Sequence, residues 1–130
     1  MKKYWTGAHT RHRLMVHVVW LPKYRKRILK DELAKRLEEL IRECVDVNRW
    51  GVEELNIQLD HVHVVLQFRP DIALSKMVQL IKGKSSRVLR QEYPGLAEFY
   101  WGDSFWADGF FAETVGNCSL EVIKNYVKNQ

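Results

Sequence analysis

Two histidines lie two residues apart in an apolar run of this 130-residue chain. They are His61 and His63, preceded by Asp60 and followed by apolar residues as far as Phe68. Successive side chains of a β-strand point to opposite faces, so both imidazoles should project from the same side. Neutral imidazoles are common ligands of divalent metals. This spacing predicts a shared ligand site.

A phenol and an amide lie four residues apart at the C-terminal end of the chain. Tyr126 and Gln130 belong to a short amphipathic segment, and a helix would place them on one face. An amide oxygen can complete a set of three metal ligands that leaves positions open for substrate. A nearby cation would polarise a phosphodiester oxygen and help the phenol to act as a nucleophile. We expect these two residues to join His61 and His63 in one active centre.

Each of these residues also has a simpler structural explanation. The two histidines could pack in a core, Tyr126 could be a core aromatic with a hydrated hydroxyl, and Gln130 could belong to a frayed terminus. Asp60 could accept a hydrogen bond from the His61 ring or cap the turn. We expect His17, which lies in another apolar strand, to be a core histidine with its polar atoms satisfied.

Hydrophobic periodicity predicts the elements that position these groups. Residues 14–20 form an apolar, β-branched strand closed by Pro22, and a helix follows from Asp31 with Gly51 as its C-terminal cap. The alternation of Leu55, Ile57 and Leu59 predicts a strand that turns at Asp60 in a tight hairpin.

The second half of the chain repeats this alternation of helix and strand. The pattern predicts a helix over 74–92 with Ser75 as its cap, a strand over 106–115, a turn at Gly116-Asn117 and a helix over 120–130. The order β-α-β-β-α-β-α indicates an α+β fold of the ferredoxin-like or RRM-like split βαβ type. We expect an antiparallel sheet with helices on one face and an extra C-terminal helix.

The size and composition of the chain limit its class. A chain of 130 residues suits one domain, here 1–130, and no apolar run approaches the length of a membrane span. The N-terminus has no signal-peptide core, and the two cysteines fit no metal or disulfide spacing. We expect a cytoplasmic protein.

Positive charge concentrates in two main segments of this chain, whose formal net charge is +5, and in a smaller one at Arg11 and Arg13. The second main segment is in the helix over 74–92, and the first surrounds Tyr24 with Lys23, Arg25, Lys26, Arg27 and Lys30. Such clusters suit a polyanion, although they could also be ordinary solvated faces. In the second cluster a glycine would let a phosphate backbone approach, and four neighbours would donate hydrogen bonds to it. These residues are Gly83 and Lys82, Lys84, Ser85 and Arg87.

Several sequence blocks together resemble the single-tyrosine HUH transposases, the TnpA type of the insertion sequence 200/605 family. The blocks are His17-Val18-Val19-Trp20, Lys23-Tyr24-Arg25, Asp60-His61-Val62-His63, 80–87, 106–116, and Tyr126 with Gln130. This resemblance implies that His61, His63 and Gln130 hold Mg²⁺ or Mn²⁺. It also implies that Tyr126 attacks single-stranded DNA to form a 5′-phosphotyrosine and to release a 3′-hydroxyl.

The resemblance has further implications for partners. It implies binding of a DNA hairpin at insertion-element ends through the 82–87 cluster, with residues 23–25 near the DNA. It implies a prokaryotic homodimer that exchanges its C-terminal helices, so that the tyrosine of one subunit completes the histidine site of the other.

Two other functions remain open from the sequence. A domesticated or replication-type HUH nickase would use the same chemistry on another target. A non-catalytic RRM-like module would bind single-stranded nucleic acid on its sheet and would have no need of Tyr126 or Gln130. A covalent DNA adduct on the tyrosine would distinguish an enzyme from such a module.

Overall fold

The computed structural model describes residues 5–6, 11–12, 14–97, 104–115 and 120–130, and side chains within 14–97, 104–115 and 124–130. Its strands are β1 (Trp5–Thr6), β2 (Arg11–His12), β3 (Leu14–Trp20), β4 (Gly51–Gln58), β5 (His61–Phe68) and β6 (Phe111–Thr114). Its α-helices are α1 (Asp31–Val47), α2 (Leu74–Glu92) and α3 (Leu120–Lys128).

A four-stranded antiparallel sheet of order β4-β5-β3-β6 organises the fold. The strands β4 and β5 form the predicted hairpin, with Leu59 and Asp60 in its turn. In the register of β3 and β5, Val19 is opposite His63 and His17 is opposite Val65. The strands β1 and β2 pair separately as a short ribbon.

The two faces of the sheet carry different partners because strand side chains alternate. One face packs with α1 and α2 into the main core, to which the sheet contributes Val16, Val18, Trp20, Val62, Val64 and Leu66. The opposite face carries α3, whose Val127 packs with Val19 and Leu21 in a second, smaller cluster. The predicted α+β architecture is confirmed, and the extra helix lies on the face that α1 and α2 leave uncovered.

The ends of both long helices differ from the prediction. Gly51 begins β4 and is not the cap of α1, which ends at Val47. Asn48 closes α1 instead, because its side-chain amide donates to the Cys44 carbonyl at 2.7 Å. The N-cap of α2 is Ala73, not Ser75, and no side-chain hydrogen bond caps this helix.

The last strand is shorter than predicted. β6 covers only Phe111–Thr114, whereas Trp106 forms an isolated bridge with Pro22. The apolar residues before β6 serve tertiary packing, since Phe105 and Trp106 are buried in the main core. The predicted turn at Gly116-Asn117 lies outside the described residues. Within the part of the chain that the structure describes, no helix is long and apolar enough to cross a membrane.

Candidate active site

The two hairpin histidines open onto a cleft between the sheet and α3. His61 and His63 are both partly exposed, whereas Val62 between them is fully buried on the other face. The predicted shared orientation is therefore present. The cleft has a volume of about 510 Å³ and is lined by Asn56, Gln58, His61, His63, Lys124, Val127 and Lys128.

Asp60 fixes the protonation pattern of the first histidine. Its Oδ1 lies 2.9 Å from Nδ1 of His61. A carboxylate can only accept, so Nδ1 carries the proton and Nε2 of the neutral ring keeps its lone pair. Such a hydrogen bond orients a metal-ligating imidazole and increases its basicity. Of the two roles open for Asp60, the structure contains the bond to the imidazole.

His17 belongs to this site and not to the core, contrary to the sequence prediction. Its Nδ1 lies 3.0 Å from Nε2 of His63, and the two rings stack with centroids 5.2 Å apart. The signal was present in the sequence. Because Val16, Val18 and Trp20 face the helices, period-two alternation places His17 on the opposite face of β3.

The environment of His63 keeps its ring neutral. Burial lowers the pKa of His63, and the neighbouring His17 lowers it further. Neutral imidazole is the form that binds metals. A cation held by Nε2 of His63 would have to replace the hydrogen bond to His17, because both interactions use the same ring nitrogen.

Tyr126 lies on the correct face of the sheet but above different strands. Its ring contacts Phe111 of β6 with centroids 5.3 Å apart, beside Val19 and Leu21. Burial raises the pKa of this phenol. Among the contacts of the described residues, none joins its hydroxyl to the histidines of β5.

Gln130 is exposed at the end of α3 and does not line the histidine cleft. Its backbone N–H donates to the Val127 carbonyl at 3.4 Å. The carboxamides that do line the cleft are Asn56 and Gln58 of β4. The structure thus brings the two histidines together and places α3 over their face, but it does not join all four predicted residues in one cluster.

The donor set suits a divalent cation with an open coordination sphere. Two imidazoles and nearby carboxamide oxygens are ligand types accepted by Mn²⁺, and to a lesser extent by Mg²⁺. Among the described residues there is no group of three or more His, Cys, Asp or Glu side chains suited to hold a metal. A complete site would therefore need an amide ligand or substrate oxygens.

Comparison with known proteins decides the family. The sequence model of the family described as IS200-like transposases matches residues 10–130 of this chain. The chain belongs to the IS200-like transposase family. It is thus a transposase by family, which makes it a DNA-processing enzyme.

Curated relatives and solved structures agree with this family. The transposase for insertion sequence element IS200 of Salmonella typhimurium is 30% identical over 95% of this chain and 80% of its own length. The ISDra2 transposase TnpA of Deinococcus radiodurans is 31% identical over 92% of this chain and 85% of its own length.

Two solved structures share the fold. A Deinococcus radiodurans protein assigned as a transposase superposes with a TM-score of 0.89 at 30% identity, covering 100% of this chain and 98% of the other. A REP-associated tyrosine transposase bound to a REP hairpin has a TM-score of 0.59 at 15% identity and covers 98% of this chain and 68% of the other. The second similarity shows the fold alone.

The first basic segment of this IS200-like chain contacts the site directly. Arg25 Nη1 donates to the Val127 carbonyl of α3 at 3.0 Å, and its Nε lies 3.7 Å from Oδ2 of Asp60. Tyr24 and Arg25 both adopt left-handed backbone conformations, with φ of 63° and 51°. Such conformations cost on the order of 1 kcal/mol or more for residues with a Cβ. Sequence reasoning named Arg25 as a DNA contact and missed its link to α3.

Side chains of the second basic segment are partly engaged within the protein. Lys82 Nζ donates to the carbonyls of Ala107 and Gly109 at 2.7 and 3.0 Å, and burial lowers its pKa. Lys84 forms an ion pair with Glu43 at 2.6 Å. These lysines hold neighbouring elements in addition to any role they have with DNA.

The remaining predicted DNA contacts differ in accessibility. Ser85 is 1% exposed, donates to the Ile81 carbonyl at 2.7 Å and accepts from Trp106 Nε1 at 3.0 Å. Its hydroxyl is therefore not presented to solvent. Gly83 faces open space, since a Cβ there would meet no atom within 4 Å. Arg87 is exposed and lines a groove between α1 and α2 together with Lys84.

Proposed function

We propose that this protein is a metal-dependent single-stranded DNA transposase that cleaves and rejoins insertion-element ends through a 5′-phosphotyrosine on Tyr126. The observation that supports this most strongly is the pair His61 and His63 facing one cleft, with α3 docked on the same side of the sheet. Membership of the IS200-like family supports the same chemistry.

The proposed reaction is two successive transesterifications. Oη of Tyr126 loses its proton and attacks a DNA phosphorus, the P–O3′ bond breaks, and the departing 3′ oxygen takes up a proton. The 5′ phosphate remains joined to the tyrosine, so the energy of the phosphodiester is conserved. A different 3′-hydroxyl then attacks this linkage, releases the tyrosine and completes strand exchange without ATP.

His61, His63 and Gln130 would hold Mg²⁺ or Mn²⁺ at this site. The bound cation would polarise a phosphate oxygen and stabilise the charge that develops during attack. The residues prepare this arrangement, because Asp60 keeps the His61 lone pair at Nε2 and burial keeps His63 neutral. For Gln130 to act as a ligand, the residues that follow α3 must move from the exposed position described above.

We also propose that two subunits exchange α3, so that Tyr126 of one chain serves the histidines of the other. The separation of two apolar clusters supports this idea. Among the side chains that the structure describes, Val127 of α3 packs with Val19 and Leu21 in a cluster apart from the main core beneath α1 and α2. A helix docked on a separate cluster can leave its sheet without opening that main core.

The DNA substrate would carry a hairpin bound by the basic segments. A REP hairpin is bound by a transposase of the same fold. In this chain Lys23, Tyr24 and Arg87 expose at least part of their side chains, and a formal charge of +5 favours a polyanion. Salt-dependent affinity would follow, because phosphate contacts release counterions.

A covalent adduct tests the proposed function. A labelled hairpin-bearing single-stranded oligonucleotide is incubated with protein and Mg²⁺ or Mn²⁺, and we expect a product that survives denaturation. Tyr126→Phe should abolish it, whereas the matched control Tyr93→Phe should keep it. His61→Ala should abolish the adduct and leave hairpin affinity nearly unchanged. Binding without an adduct in the wild-type protein would indicate a passive binding module instead.

A mixing experiment tests the exchange of α3. Tyr126→Phe and His61→Ala are each expected to be inactive, but their mixed dimer would contain one intact site if the tyrosine acts in the other subunit. Cleavage should therefore return when the two variants are co-expressed. Continued inactivity, with mixed dimers demonstrated by tag pull-down, would place Tyr126 and the histidines of each site in one chain.

A further inference from the structure

We propose that Arg25 is a positioning residue that fastens the last turn of α3 to the histidine hairpin. The structural part of this proposal rests on contacts in the folded chain. Its catalytic consequence rests on the proposed function, because that turn contains Tyr126 and the hairpin carries the proposed metal ligands.

The guanidinium of Arg25 binds the end of α3. Nη1 donates to the Val127 carbonyl at 3.0 Å and approaches the Lys128 carbonyl at 3.5 Å. The last carbonyls of a helix lack intrahelical partners and carry partial negative charge. A cation from another segment therefore satisfies them and stabilises the final turn.

The same guanidinium reaches the hairpin through its other edge. Nε lies 3.7 Å from Oδ2 of Asp60, and Oδ1 of Asp60 accepts from Nδ1 of His61 at 2.9 Å. A continuous polar path thus runs from the α3 carbonyls through Arg25 and Asp60 to a proposed metal ligand. One planar group with several fixed donors suits this bridging role better than a lysine would.

The backbone around Arg25 is shaped for this contact. Tyr24 and Arg25 are both left-handed, and the Arg25 N–H donates to the Pro22 carbonyl at 2.8 Å. The adjacent Lys23 N–H donates to the Phe105 carbonyl, also at 2.8 Å. The first bond closes the loop on itself and the second ties it to Phe105, so the backbone that carries the Arg25 side chain is held in place.

Arg25 was also predicted to contact DNA, and the two roles make different demands. A phosphate contact needs free donors that face solvent, whereas in this fold Nη1 and Nε point towards α3 and Asp60. The side chain is 40% exposed, which leaves room for a substrate at its edge. The contacts favour the positioning role.

Amide hydrogen exchange of the full-length protein without DNA or metal tests the structural part. Arg25→Ala should accelerate exchange at the terminal amides of α3 about tenfold, the effect expected for losing one charge-assisted hydrogen bond. Arg27→Ala is the matched control, because it removes the same charge from the same loop at an exposed side chain. Arg25→Lys should give an intermediate rate, since it keeps the charge without the bridge.

Unchanged α3 exchange in Arg25→Ala relative to Arg27→Ala would overturn the proposal, and so would a wild-type rate in Arg25→Lys. The consequence for the site is measured as Mn²⁺ affinity. It should fall severalfold in Arg25→Ala, because Asp60 loses the cation beside it while it orients His61, but not in Arg27→Ala. Hairpin affinity and its salt dependence should match in the two variants. A selective loss of hairpin affinity without faster exchange would instead make Arg25 a DNA contact.

The two proposals can fail separately. If wild-type protein forms no tyrosine adduct, the proposed function is wrong, but accelerated exchange in Arg25→Ala would still establish the link to α3. If the adduct forms and α3 exchange does not depend on Arg25, the function stands and the positioning role is wrong.

Discussion

Replacement of Ser85 by alanine separates a packing role from a DNA-binding role for this residue. Ser85 lies on α2 with 1% exposure, and its hydroxyl accepts the indole N–H of Trp106 at 3.0 Å. Trp106 is itself 4% exposed, so no solvent is positioned to replace the lost acceptor. We expect Ser85→Ala to destabilise the fold and to leave intrinsic hairpin affinity unchanged.

The expected loss of stability follows from the indole N–H of Trp106, which would be left without an acceptor. A buried N–H without an acceptor costs about 1–3 kcal/mol, and the middle of that range is about 2 kcal/mol. Urea unfolding of small proteins has a slope of roughly 1–3 kcal/mol/M, so the midpoint should fall by about 1 M. The neighbouring Ser86 is only partly buried, and Ser86→Ala should stay within about 0.5 kcal/mol of wild type.

Urea unfolding followed by tryptophan fluorescence measures this difference, and hairpin titration measures the binding. The double variant Ser85→Ala/Trp106→Phe should lose less stability than the sum of the single variants, because phenylalanine has no N–H that needs an acceptor. An unchanged midpoint in Ser85→Ala, combined with weaker hairpin binding, would refute the packing argument and restore Ser85 as a DNA contact.

Three further predictions concern the nucleophile and two residues of the basic helix. Because burial raises the pKa of Tyr126, its phenolate remains a minor species near neutrality, and single-turnover cleavage with saturating metal should rise about tenfold per pH unit from about pH 7 to 9. A plateau within that range would show that deprotonation does not limit the reaction. Lys82→Met should lower the free energy of unfolding by about 1–2 kcal/mol and leave the salt dependence of hairpin binding unchanged, because its ammonium holds the 107–109 carbonyls. Arg87→Ala should keep the free energy of unfolding and reduce the salt dependence of hairpin binding by about 0.9 in its logarithmic slope. If Lys82→Met reduces that slope and Arg87→Ala lowers stability instead, Lys82 is the DNA contact and Arg87 the structural residue.

Local periodicity predicted the elements that carry the site. The apolar spacing in α1 and the alternation in β5 reflect which side chains face the main core, so each element was predictable from its own residues. The tight turn at Asp60 was predictable because two strand patterns adjoin at this residue. Together these features placed His61 and His63 on one face before any tertiary contact was known.

The features that sequence reasoning missed depend on partners far along the chain. Arg25 and Val127 are separated by 102 residues, and Ser85 and Trp106 by 21. The residues that neighbour a basic or hydroxyl side chain in the sequence do not show whether it contacts DNA or forms a tertiary hydrogen bond. The strand predicted over 106–115 was too long for a related reason, because buried aromatics fill a core equally well from a loop.

The convergence of Tyr126 and Gln130 with the histidines stays a prediction. Helical spacing relates these two residues to each other, but it does not specify how α3 lies on the sheet. That placement depends on the contacts of Val127 with Val19 and Leu21 and on the Arg25 bond. These interactions are tertiary, so the periodicity of α3 shows which of its faces is apolar and not where that face docks.

Strand β3 has two faces with different neighbours. Its even-numbered residues Val16, Val18 and Trp20 lie in the main core, whereas His17 contacts His63 and Val19 lies beneath α3. Substitutions at Val16, Val18 and Trp20 should therefore reduce how much folded protein a cell accumulates, while those at His17 should leave its abundance unchanged and impair the proposed DNA cleavage. Neighbouring positions of this strand would then tolerate different sets of amino acids.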